Sequence, residues 1–212
     1  MKRIAEDAIA MVELILLREK ALAIRKVLLE GDPAKKILEY AENNPIDLLV
    51  ISSAISATPP PGIIGSTAKK IISKSNKPVL VYTPLSIISS DSIKNILLVA
   101  NKPSEREINK MLSIASTIAG KFNAYVFAYI IGDKDTVDVI KRRLKDLQLN
   151  YKIMEPAREN VEAEILEITQ NMDLVIVNKT KALEEKIPLL KHHISPLCRS
   201  LAGLSRSPVM IV

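Results

Sequence analysis

Tryptophan is absent from these 212 residues and phenylalanine occurs only twice, so the chain has no series of aromatic platforms on which nucleic-acid bases could stack. A single cysteine, Cys198, excludes a disulfide framework. The longest apolar run, "AIAMVELILL", is interrupted by Glu13 and falls well short of the roughly 20 residues that cross a bilayer. The start "MKRIAEDAIAM" sets Glu6 and Asp7 where a secretory signal has its apolar segment, which points to a cytoplasmic protein. No Ser-His-Asp pattern, Walker loop or metal-ligand spacing is present. His192 and His193 are adjacent and so point about 100° apart on a helix, which removes the i, i+4 chelate and leaves them as exposed loop residues.

What remains is a soluble globular composition, 48% apolar and 25% charged. The length accommodates two domains of about 100 residues. With aromatics scarce, the core is built from Ile, Leu, Val and Ala, the palette of parallel sheets covered by helices. The net charge of +6 is spread among acids rather than gathered in a patch, which argues against a nucleic-acid partner. The basic run Lys141 to Arg143 lies opposite a stripe of Val137, Ile140, Leu144 and Leu147, as on a solvated helix face.

The second half alternates strands and helices. "KNILLVAN" is a strand; Ser104 and Glu107 form a capping box that opens a helix with Ile108, Met111, Leu112, Ala115 and Ile118 on one face and Gly120 as its C-terminal cap. Then come "AYVFAYII", a helix over 134–148, "NYKIME", a helix over 160–171, "DLVIVN", a helix over 195–206 and the strand "PVMIV". Five strands joined by helical crossovers pair in parallel, giving a doubly wound α/β sheet. Cys198 falls in the last helix as a buried, inert thiol. Asp47 and Asp173 each open a strand beside a loop, where a lone carboxylate is solvated.

The first half repeats part of this order. A helix over 3–20 precedes the strand "IRKVLLEG"; Asp32 as N-cap and Pro33 open a helix to about Asn43. "IDLLVIS" matches "MDLVIVN", and "PVLVYT" matches "PVMIV". Asp47 to Pro78 is 31 residues and Asp173 to Pro208 is 35, so an internal duplication is the simplest account, with Ser86 to Lys94 as a polar linker.

"EGDPAKKILEYAENNPIDLLVIS" followed by "GSTAKKIISKSNKPVLVY" resembles the universal stress protein family over residues 22–84, and residues 94–212 look like a second copy with weaker motifs. The resemblance implies two tandem Rossmann-like domains, 1–85 and 94–212, each with sheet order 3-2-1-4-5, dimers formed through the last strand, and in many members ATP at the ends of strands 1 and 4. The family's phosphate motif, G-x2-G-x9-G-[S/T], sets its final pair on Gly65 and Ser66, followed by Thr67, whereas its first two glycines fall on Ser52 and Ile55. In the second copy Ser195 and Pro196 take the Gly-Ser place, and Asn101 stands where ATP-binding members carry an acid after strand 1. No nucleotide is expected there.

The first copy has no counterpart of strand 1, helix 1 or strand 2. In the family order this leaves two empty lanes of about 4.8 Å each between strand 3, "IRKVLLEG", and strand 4. Strand 3 must move beside strand 4, a partner chain must fill the lanes, or the chain is part of a longer protein. The expected function is a regulatory binding module without catalytic turnover, with ATP or another nucleotide held at Gly65, Ser66, Thr67 and Ser52, and Asn101 as the residue for ribose. The bland reading is that Ser66 only caps a helix. The rival functions are a slow ATPase and the cytoplasmic regulatory tail of a transporter. Exposed strands "PVLVY" and "PVMIV" are expected to pair with each other or with a second chain, without membrane insertion.

Overall fold

Short β-branched runs set off by capped amphipathic helices produce an α/β chain. The structure, a computed structural model, describes residues 25–53, 64–83, 85–86, 93–179 and 194–212. Its elements are helix α1 (Pro33–Asn43), strand β1 (Leu49–Ser52), helix α2 (Ser66–Lys74), strands β2 (Val79–Tyr82) and β3 (Asn95–Asn101), helix α3 (Glu105–Phe122), strand β4 (Tyr125–Ile131), helix α4 (Lys134–Asp146), strand β5 (Tyr151–Met154), helix α5 (Val161–Ile168), strand β6 (Leu174–Val177), helix α6 (Pro196–Leu204) and strand β7 (Val209–Ile211).

Apart from α2, whose N-cap is Gly65, these helices begin where the sequence supplies an oxygen for their unpaired N–H groups. Asp32 Oδ1 accepts from the Lys35 N–H at 2.9 Å, and Ser104 and Glu107 form the reciprocal box at the start of α3. Asp133 accepts from Thr136, Asn160 from Ala163 and Ser195 from Cys198. Each such cap contributes about 1 kcal/mol.

One seven-stranded sheet results, in the order β1-β2-β7-β6-β3-β4-β5. Ile96 runs beside Leu174 and Val99 beside Val177 in the same direction, so the second half has the 3-2-1-4-5 order when counted within itself. Every neighbouring pair is parallel except β2 and β7, which meet antiparallel and bury each other's edges. One face of the sheet packs Leu97, Val99, Val175, Val177, Val79 and Val81 against residues of α2, α5 and α6. On the other, α3 and α4 cover Ile96, Leu98, Ile176 and Met210.

The β1-α2-β2 and β6-α6-β7 units repeat in backbone detail. Gly65 before α2 has φ −57°, ψ 147°, and Ser195 before α6 has φ −56°, ψ 150°. Ser75 and Ser205 close the two helices in the same conformation, and each side chain then bridges two residues onward, to Lys77 and to Ser207. Leu49 N–H donates to the Pro78 carbonyl and Val175 N–H to the Pro208 carbonyl, both at 3.0 Å. The two units thus repeat in local geometry as well as in sequence.

Several expectations are corrected. Residues 25–30 of "IRKVLLEG" form no strand and are exposed, because no described strand lies beyond β1 to pair with them and an isolated strand leaves its ladder groups unmatched. Helix α3 runs past Gly120 to Phe122 and is capped by Asn123 in the left-handed conformation, φ 52°, which asparagine tolerates. The helix of 134–148 stops at Asp146, leaving Leu147 exposed beyond its apolar stripe. Asp173 is not simply solvated: its Oδ2 accepts from the N–H groups of Lys94 and Asn95, both at 2.8 Å, which ties β3 to the approach of β6. The helix over 3–20, Ile55, Gly62, His192 and His193 lie outside the described residues, and of the linker only Ser86, Ile93 and Lys94 lie within them.

Candidate functional site at the two ends of the sheet

Antiparallel meeting of β2 and β7 puts the carboxyl ends of the two halves at opposite ends of one sheet. Gly65, Ser66, Thr67 and Ser52 therefore gather at one end. Asn101, the expected ribose contact, stands at the other.

At the first end Ser52 closes β1 and Ser53 extends its ladder by donating to the Tyr82 carbonyl at 2.9 Å. Gly65 N–H donates to the Ser53 carbonyl at 3.1 Å, which pins the helix start directly over the end of β1. Gly65, not Ser66, is the N-cap; its φ of −57° is open to any residue, so what glycine contributes here is the lack of a capping side chain. The first helical bond runs from Lys69 N–H to the Gly65 carbonyl at 2.8 Å, so the N–H groups of Ser66, Thr67 and Ala68 precede every intrahelical acceptor. Ser66 is exposed and Thr67 half-buried. An anion placed there would meet several N–H donors and the positive end of the helix dipole. Helix α2 is packed by its buried Ile71 and Ile72, and its exposed Lys70 pairs with Asp32 at 3.0 Å.

The opposite end is closed by its own side chains. Asn178, fully buried just after β6, accepts from Asn101 N–H through Oδ1 at 2.8 Å and returns a bond from Nδ2 to the Asn101 carbonyl at 3.0 Å. This amide spans the break between β3 and β6 where strand order reverses, the place in which doubly wound sheets take a ligand. The Asn178 carbonyl also accepts the Cys198 thiol at 3.2 Å, and burial pushes that thiol up to about 11. Ser195 caps the start of α6, and Pro196 has no N–H to offer. Among the described residues at this end, the first N–H groups of α6 are thus met by a side chain or lacking. Asn178 was missed from sequence, although it is the residue that aligns with Ser52.

Two further contacts escaped sequence reasoning. Thr83 Oγ1 donates to the Ser205 carbonyl at 2.6 Å, while Lys179 Nζ donates to the Ser75 carbonyl, so each half supplies a donor to the C-terminus of the other half's helix. On β4, the buried Tyr129 hydroxyl donates to Glu164 Oε2 at 2.8 Å, and the same oxygen accepts the N–H groups of Ala157 and Arg158 at 3.2 Å. Burial alone would raise the Glu164 carboxyl, but these three donors offset it and hold the group below its usual range. Burial, then Glu164 itself, pushes the Tyr129 hydroxyl above its ordinary value.

Among the described residues no group of three or more His, Cys, Asp or Glu is placed to hold a metal ion. No helix among them is long and apolar enough to cross a membrane.

Residues 2–83 match the model of the Universal stress protein family. No curated protein matches the chain. Among solved structures, a universal stress protein from Archaeoglobus fulgidus DSM 4304 is 17% identical and superposes with a TM-score of 0.74 over 100% of this chain and 78% of its own. A functionally unknown protein from Pseudomonas aeruginosa PAO1 is 15% identical, with a TM-score of 0.64 over 97% of this chain and 77% of its own. At these identities the likeness is one of fold, and it extends that fold across both halves.

Proposed function

We propose that the chain is a regulatory binding module of the cytoplasm, without catalytic turnover, whose two halves are tandem domains, 1–85 and 94–212. Its ligand is a phosphate-bearing nucleotide, ATP in the first instance, gripped by the helix start at Gly65, Ser66 and Thr67 with Ser52 beside it. The observation that carries this reading is the contrast between two otherwise superposable helix starts: α6 is capped by Ser195, whereas the start of α2 has no side-chain cap among the described residues. Support also comes from the family match, which includes Gly65 to Thr67. Asn101 takes no part in this reading, because it lies at the other end of the sheet and its backbone is engaged by Asn178.

The test is thermal unfolding with and without ATP and magnesium. A ligand that binds only the folded chain at 100 times its dissociation constant adds about 2.7 kcal/mol, a readily measured rise in Tm. An unchanged Tm at millimolar ATP contradicts the reading. Steady release of phosphate would point instead to the ATPase.

A further inference from the structure

Helix α3 packs on the seam between β7 and β2: its Met111 and Leu112 share a cluster with Met210, and Leu80 lies against that cluster. From α3, Lys110 extends its Nζ to 3.4 Å from the Asn76 carbonyl, in the turn between α2 and β2. Lys179, which follows β6, donates to the neighbouring Ser75 carbonyl. Lys77 is the next residue of the same turn, and Arg106 stands one helical turn before Lys110 on α3. Two elements remote in sequence thus bring Lys77, Arg106 and Lys110 to one place.

The C-terminus of a helix draws positive charge, but this fold closes one without it. After α6, in the equivalent turn, the Ser205 carbonyl is met by the neutral Thr83 hydroxyl at 2.6 Å. At the α2 turn the charge is in excess: among the described residues no acid forms an ion pair with Lys77, Arg106 or Lys110. Glu107, which attracts Lys110, is committed to the start of α3. Its Oε2 accepts from the Ser104 N–H at 2.7 Å and from the Ser104 hydroxyl at 2.8 Å, and its Oε1 accepts from Asn178 at 3.5 Å. Burial first, and then Arg106 and Lys77, push the half-buried Lys110 ammonium below its ordinary value. Like charges held together in a partly dry place repel, and a bound anion would offset that repulsion.

We propose that Lys77, Arg106 and Lys110 form a binding site for a phosphate dianion at the C-terminal end of α2, away from Gly65. The two ammonium groups act as point charges, and the guanidinium can take two phosphate oxygens side by side. A compact dianion is favoured over an acidic peptide because the three cations gather within one turn of α3 and the turn facing it, where one doubly charged group meets all of them. The site shares no residue with the helix start at Gly65 to Thr67, so the two readings stand or fall separately.

Inorganic phosphate is the probe, added to the full chain with Tm as the readout and sodium chloride at matched ionic strength as the control. A saturable rise beyond that in chloride is expected, kept by Ser66→Pro, with an apparent affinity about tenfold weaker in Lys110→Gln, which removes one charge. Arg106→Gln, at an exposed position that leaves folding intact, should weaken it likewise. A second arm with glycerol phosphate supports the site whether it raises Tm more or less than the free ion, and tells an ester from inorganic phosphate. The same rise in chloride overturns the proposal, as does a rise that Lys110→Gln and Arg106→Gln leave unchanged. A rise that Ser66→Pro abolishes also overturns it, and assigns the phosphate to the start of α2.

Discussion

Leu80 and Met210 face each other across the antiparallel β2–β7 ladder, and each is the other's counterpart in the repeated unit. Val79 pairs with Ile211 and Val81 with Val209, so the local two-fold passes between Leu80 and Met210. Their surroundings are not equal, because α3 roofs only the later half. Met210→Ala is expected to cost about 2–5 kcal/mol, in the range for truncating a buried side chain. Leu80→Ala should cost clearly less. Urea unfolding measures both, and equal losses would contradict the uneven roof.

Asn178→Leu keeps the branched shape but removes the amide that spans β3 and β6. It takes away the two bonds that Asn178 makes to the Asn101 N–H and carbonyl. The expected loss is about 1–3 kcal/mol, again read by urea unfolding. A neutral result would show that water replaces the amide and that the crevice is open to ligand.

The Glu164 carboxyl lies below its usual range in the folded chain because of its three donors, despite its burial. A group with a depressed folded pKa contributes stability above its ordinary value of 4.5, and that contribution fades as pH falls through the folded value. Glu164→Gln carries no such dependence. The stability gap between native chain and variant should therefore be widest near pH 7 and narrow toward pH 3. A gap that stays constant with pH would contradict the assignment.

Cys198 is buried, and its thiol is held up at about 11 by that burial. Little thiolate exists at pH 8. A thiol-specific reagent is expected to label it only as fast as the chain opens, with the label appearing at once in denaturant. Prompt labelling of the native chain would contradict the packing of α6.

The sheet was legible because β-branched runs and capping residues act locally: Asp32, Ser104 and Ser195 mark helix starts that the structure keeps. The pairing of β2 with β7 was legible as one of two outcomes, since unpaired apolar edges need a partner but do not name it. What failed was "IRKVLLEG", whose composition is that of a strand. Strand propensity describes a fit to a neighbouring strand, and among the described residues that neighbour is missing. At the site, Gly65, Ser66 and Thr67 could be found by counting from Pro78, but their remoteness from Asn101 could not, because the direction in which the halves join is a tertiary fact. Asn178 and the Tyr129–Glu164 pair were hidden for the same reason, their partners being 77 and 35 residues away.

The central claim is that the helix start at Gly65 to Thr67 holds phosphate while its counterpart at Ser195 to Cys198 does not. The later copy itself supplies the variant that tests it: Ser66→Pro introduces the proline found at Pro196, fits the first helical position and removes one N–H donor. Calorimetric titration of ATP into the native chain and into Ser66→Pro is the direct measurement. The account predicts saturable binding to the native chain, lost or at least tenfold weaker in a variant of unchanged Tm. Equal binding by the two, or none by the native chain, would contradict it.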